Sequence, residues 1–128
     1  MDYAIARRTA LRLLSMRNYH SLVLARKLEK KGCPSEIAER VIEDCKRIGL
    51  IKDDDAILRE FRRGYGPKYI EFHLRLEKSE VRALITREMQ KEKIKELKSK
   101  FKEREKGIRT MQRRGFDLDL AIEVFSTF

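Results

Sequence analysis

The chain has no tryptophan, two prolines, two cysteines and six glycines in 128 residues, and aromatic side chains make up 8% of it. So few large rings cannot fill the thick interior of a two-sheet sandwich, so thin helical layers are expected. The cysteines, Cys33 and Cys45, form no CxxC pair and have no histidine at ligand spacing, which excludes the usual zinc and thioredoxin-like motifs. They are expected as reduced thiols, with Cys45 on the apolar face of a helix. No apolar run approaches the roughly 20 residues that span a bilayer. Nothing at the start of the chain resembles a secretory leader, so a soluble cytoplasmic protein with no membrane partner is expected. Catalytic signatures are missing too. His20 and His73 are far apart, and HExxH, GxSxG and the phosphate-binding GxxxxGK[ST] do not occur. Asp53-Asp54-Asp55 lacks the spacing of a calcium loop and suits the start of a helix. The sequence therefore predicts no catalytic residue and no metal.

Charge is what the chain has in abundance. Charged residues are 41% of the sequence, with a net charge of +10 and a pI near 9.8. A surplus of that size favours polyanions: nucleic acid, an acidic protein surface or anionic lipid. It is unevenly spread, about +5 over residues 1–50, about +1 over 51–89 and about +4 over 90–128.

Apolar residues recur with helical spacing almost throughout, and strand-like alternation is scarce. A first helix is expected over 3–16, a second ending at Gly32, and a third from Pro34-Ser35 to Gly49. Another opens on Asp53–Asp55, and Pro67 fits the first turn of the next. Ser79 is expected as a cap. Val81, Leu84, Ile85 and Met89 point one way and Ile94, Leu97 and Phe101 roughly the other, which predicts a break near 88–92. Gly107 is expected to precede a short helix, and Gly115 the last one.

One phrase occurs twice. Residues 27–42, KLEKKGCPSEIAERVI, and 110–125, TMQRRGFDLDLAIEVF, align at a spacing of 83. In both, two cations and a glycine precede Ile/Leu-Ala-x-x-Val. The periodicity predicts an all-α chain of about nine helices in three tandem three-helix repeats, at 1–50, 51–90 and 91–128, stacked into an elongated, curved array. The middle repeat reads LEKSEVRALI, with Glu77-Lys78 where the corner Lys-Gly is expected.

Candidate contact residues are cations at the expected helix corners: Arg26, Lys27, Lys30 and Lys31; Arg62, Arg63 and Lys68; Arg113 and Arg114. Each set also reads as an ordinary solvated face. The string RRGYGPKY at 62–69 supports two readings, a glycine-rich turn that cradles phosphate on free N–H groups, or a helix stop, turn and start. Tyr65, Tyr69 and Phe116 could stack on bases or pack between repeats. The Lys-rich segment 91–106 reads as a charged helix exterior. No heptad seam of several turns appears, so a monomer is expected.

Several stretches, taken in order, resemble the RecX family of bacterial regulators of the RecA recombinase. AL-x-LL-x-x-R at Ala10–Arg17, Lys27-Leu28 with Lys31-Gly32, Gly49-Leu50 followed by Asp53-Asp54, Gly66-Pro67 with Ile70 and Leu74, and Lys106–Phe116 ending RRGF all match family positions. The sequence departs from the pattern at the cap before the second helix, Tyr19-His20-Ser21 with Val23 where Glu is usual, at Ile57, where an aromatic is usual, and at Glu77-Lys78. The resemblance implies a non-enzymatic protein without cofactor. It would bind the groove of the RecA nucleoprotein filament and restrain recombination, ATP hydrolysis and the coprotease activity of the SOS response. Direct binding of single- or double-stranded DNA or RNA through a basic face is the alternative function.

Overall fold

A computed structural model describes residues 1–127, which form nine α-helices and no strand. The fold is an all-α helical repeat, as the periodicity predicts. The chain divides into two compact units, residues 1–56 and the chain from Ile57 onward.

The first unit holds α1 (Tyr3–Met16), α2 (Ser21–Lys30), α3 (Ser35–Arg47) and the opening turn of α4 (Asp53–Arg62). Asp2 starts α1, its carboxylate accepting from Ile5 N at 2.9 Å. Ala6, Ala10 and Ala38 are fully buried with Leu24, Leu28, Val41 and Cys45. Small side chains there let the helix axes approach closely. Both cysteines are free and buried, and burial pushes each thiol pKa up, so they act as small apolar residues. Before α2, His20 Nδ1 accepts from Leu22 N at 3.1 Å. Asp53 accepts from both the backbone N and the hydroxyl of Ser21, each at 2.7 Å. One acidic residue from the start of α4 thereby satisfies donors at the N-terminus of α2.

The second unit contains the rest of α4, α5 (Pro67–Leu74), α6 (Lys78–Leu84), α7 (Arg87–Lys98), α8 (Arg104–Arg113) and α9 (Leu118–Phe125). Its single core runs through Ile57, Phe61, Ile70, Val81, Ile94, Met111, Phe116, Leu120 and Phe125.

The twice-written phrase folds the same way twice. Gly32 (φ 98°) and Gly115 (φ 91°) follow α2 and α8 in the left-handed region. In each corner the glycine N–H bonds back to a carbonyl three residues earlier (Glu29, Gln112). The next N–H reaches one residue further back, to Leu28 or Met111, at 3.0 and 3.1 Å. A buried residue follows, Cys33 or Phe116, and then an extended N-cap, Pro34 or Asp117.

The same sequence of roles occurs a third time, at a different place from the one the sequence predicts. Arg75 (φ 53°, ψ 52°) takes the left-handed position, Leu76 is the buried residue and Glu77 the extended N-cap of α6. The residue replacing the corner glycine is therefore Arg75, and Glu77-Lys78 lies beyond the turn. The identity of the left-handed residue fails as a marker here, because the buried position after it sets the register. Ser79 consequently falls inside α6.

Two further expectations change. The break between the opposed stripes lies at 85–86, not 88–92. Ile85 leaves α6 in an extended conformation and Thr86 caps α7, its hydroxyl accepting from Met89 N at 3.2 Å. A side chain able to cap fixes the start more sharply than the phase of a stripe. Gly107 lies within α8 rather than before it. A Cβ there would lie 2.2 Å from Cε1 of Phe125, so glycine makes room for the α9 ring.

Candidate functional site

The cations singled out at 62–68 and 113–114 meet at a junction of two corners. Gly66 N donates to Arg114 O at 2.7 Å and Lys68 N donates to Gly115 O at 3.0 Å. A Cβ on Gly66 would lie 2.4 Å from Phe116 N, and one on Gly115 2.2 Å from Tyr69 N. The α4–α5 and α8–α9 turns thus touch backbone to backbone, a contact that only glycine permits. This decides between the two readings of RRGYGPKY. The Gly66 and Lys68 amides at the start of α5 are taken by carbonyls just after α8, so the string is a stop, turn and start, and those two donors are not free for phosphate.

Arg62, Arg63, Lys68 and Arg113 are exposed around this junction, and Arg114 is half-buried. The Arg114 guanidinium covers Gly64, whose added Cβ would lie 2.9 Å from Nη1. Arg63 pairs with Glu60 at 3.0 Å and lies over the Tyr65 ring at 5.5 Å, so part of its charge is committed locally. Arg62 borders a pit of about 390 Å³ lined by Phe61 and Met89 together with Glu88, Glu92 and Glu96, and its carbonyl accepts from Lys93 Nζ. Arg113 donates to the Thr110 hydroxyl at 3.3 Å. Phe116 is wholly buried and cannot stack on a base, whereas Tyr65 and Tyr69 are partly exposed and stacked on one another.

Arg26, Lys27, Lys30 and Lys31 belong to α2 and the residue after it, in the first unit. Lys27 lies over the Tyr19 ring at 5.4 Å, with Arg17 at 5.6 Å from the same ring. Lys27 and Lys30 occupy the last turn, where cations also offset the helix dipole. Lys30 and Lys31 are exposed.

Two arrangements escape the sequence. Lys106, Arg109 and Arg113 follow one another along α8 and, with Thr110, line a groove of about 410 Å³ with no carboxylate among the described residues that line it. Their spacing of three and four is a helical stripe. It is hidden from sequence reading by Gly107, taken as a break.

The other arrangement is buried. Asp117, the N-cap of α9, accepts from Arg82 Nη1 at 2.7 Å and from Gln90 Nε2 at 3.0 Å, while its own N–H donates to Gln90 Oε1 at 3.0 Å. Arg82 reaches Glu71 on α5 at 3.3 Å, and Arg87 pairs with Asp117 at 3.5 Å and with Asp119. Burial alone would raise the Asp117 carboxyl. The hydrogen bonds from Arg82 and Gln90, with the Arg82 charge, outweigh it and hold the group below the usual carboxylate range. A glutamine on an apolar stripe was the available signal. This network ties α5, α6, α7 and α9 together and is structural.

Comparison with known proteins agrees with this architecture. A profile of the first three-helix domain of RecX matches residues 6–45, the span of α1 to α3. The "Regulatory protein RecX" of Legionella pneumophila strain Corby is 30% identical over 136 aligned positions, covering 91% of this chain and 90% of that protein. The chain belongs to the RecX family. Two solved RecX structures share its fold. The one from Lactobacillus salivarius gives a TM-score of 0.69 at 19% identity, over 98% of this chain and 96% of the other. A second gives 0.67 at 23% identity, over 98% and 73%. The curated relatives are named regulatory proteins. Among the described residues of this RecX chain no helix is long and apolar enough to cross a membrane.

Proposed function

We propose that the chain is a non-enzymatic, cytoplasmic regulator that binds the groove of the RecA–DNA filament and restrains recombinase, ATPase and SOS coprotease activity. The observation that carries this reading is the corner junction of the second unit. There a backbone contact between two turns brings Arg62, Lys68, Arg113 and Arg114 to one junction. A nucleoprotein filament offers phosphates and acidic side chains at short, regular intervals, and fixed cations suit such a target. The cations of α2 supply a second contact on the same chain. Two weak contacts on one chain act at high mutual effective concentration. Occupying a groove excludes other strands without any chemistry.

The test is binding to RecA-coated single-stranded DNA beside bare DNA at moderate salt. Wild type is expected to prefer the coated strand, and replacing Arg113 and Arg114 with Glu is expected to weaken that binding at least several-fold with helicity retained. Unchanged affinity would remove both residues from the interface. Strong, steeply salt-dependent binding to bare DNA with no preference for the filament would instead support direct nucleic-acid binding.

A further inference from the structure

Two exposed stripes of this chain match one another in period and oppose one another in charge. On α1 the outward face runs Ile5, Arg8, Arg12 and Met16, each about one turn from the next. Met16 is 71% exposed, and neither it nor Ile5 packs in a core. Two apolar side chains on one outward face, set on either side of two cations, are more than α1 requires to cover its own unit. On α7, Glu88, Glu92 and Glu96 stand one turn apart along the pit of about 390 Å³ whose lining includes Phe61 and Met89. All three carboxylates are largely exposed, and their lysine neighbours, Lys91, Lys95 and Lys93, lie 3.6, 3.2 and 3.6 Å away. Exposed pairs of that kind hold weakly against a competing cation.

We propose that the α7 groove of one chain receives helix α1 of a second copy. Charge and period select this occupant. Three glutamates on one face repel phosphate, so the groove suits a basic protein segment and not a nucleic acid. Arg8 and Arg12 are four residues apart, as are successive glutamates, so two ion pairs form in one register about 6 Å apart. Met16, one turn beyond Arg12, brings an unbranched, adaptable apolar side chain to the pit. The two halves are different surfaces, so the contact is head to tail and can repeat from copy to copy. Two ion pairs and one anchor fall well short of what a stable dimer buries. The contact is therefore weak between free chains and gains force where copies already sit side by side on one polymer. Both halves belong to this chain, so the inference stands apart from the filament reading.

The experiment is sedimentation velocity of the full chain over a concentration series into the millimolar range. Salt of about 0.1 M shortens the Debye length to about 10 Å and screens the general repulsion between basic chains. The mean mass of wild type should rise with concentration. Glu88→Lys/Glu92→Lys and Arg8→Glu/Arg12→Glu should each stay monomeric. The second pair lowers the net charge, so general repulsion alone would predict more association, not less. An equal mixture of the two variants should associate again, because the first keeps its α1 and the second keeps its groove. Met16→Ser should weaken wild-type association several-fold. All five positions are exposed, so helicity and thermal midpoint should not change. The proposal is overturned if wild type stays monomeric throughout, if association survives either reversal, or if the mixture of folded variants fails to associate. Arg113 and Arg114 are untouched, so failure here leaves the filament reading standing.

Discussion

Gly32 and Gly115 hold equivalent positions in two corners, yet their replacement should have very different consequences. Both lie at a φ that costs an L-residue about 1 kcal/mol or more. A Cβ on Gly32 meets nothing within 4 Å, whereas one on Gly115 would overlap the Tyr69 backbone. Gly32→Ala should therefore lower stability by about 1 kcal/mol. Gly115→Ala should cost several times that, because the neighbour is backbone and the two corners must part. Chemical denaturation of both variants checks the difference, and equal losses would mean that the α4–α5 and α8–α9 turns do not touch. The same corner shows how far the sequence could be read. A pair of cations followed by glycine announces the turn where glycine fills the left-handed position, so Gly32 and Gly115 were legible. At Arg75 an ordinary residue accepts that conformation because Leu76 is buried beyond it and Glu77 starts the next helix. Nothing in Arg75 itself signals this.

At the scale of elements, periodicity located the helices and missed what orients them. The buried Asp117 network needs partners from three distant segments, and spacing along one chain does not reveal such a meeting. It also makes the second unit sensitive to acid. The Asp117 carboxyl is held below its ordinary value, so its contribution to stability is fully present above the unfolded-state pKa of about 4. That contribution is lost as pH falls through the lower folded-state value. Asp117→Asn should flatten the fall in stability over that acid range and cost about 3 kcal/mol near neutrality, since Arg82 loses a buried partner. Denaturation curves across pH for wild type and variant measure both effects. Gly107 tests the neighbouring contact. On an open helix Gly→Ala would be stabilising by about 1 kcal/mol. Here the Phe125 ring already occupies the space, so Gly107→Ala should destabilise instead. Shortening the ring in Gly107→Ala/Phe125→Leu should recover part of the loss.

For the whole molecule, net charge of +10 overstates what is available to a polyanion, because the cations are not equivalent. On α7, Lys91 lies 3.4 Å from Glu123 and 3.6 Å from Glu88, Lys93 is 3.6 Å from Glu96, and Lys95 is 3.2 Å from Glu92. That part of the Lys-rich segment is the charged helix exterior its composition suggests. On α8, Lys106, Arg109 and Arg113 face a groove whose lining holds no acid among the described residues. Counterions condensed on a phosphate polymer are released as protein cations neutralise its phosphates, and a cation already set against a carboxylate is less available to do so. The two helices should therefore separate in a salt titration of binding to DNA or to the filament. Lys106→Gln and Arg109→Gln should each lower the slope of log affinity against log salt by about one, with a uniform loss across sequences. Lys91→Gln and Lys95→Gln should leave the slope unchanged, because removing either frees a carboxylate without removing a phosphate contact. Equal slopes for all four variants would mean that α8 faces away from the polyanion and that the corner cations act alone.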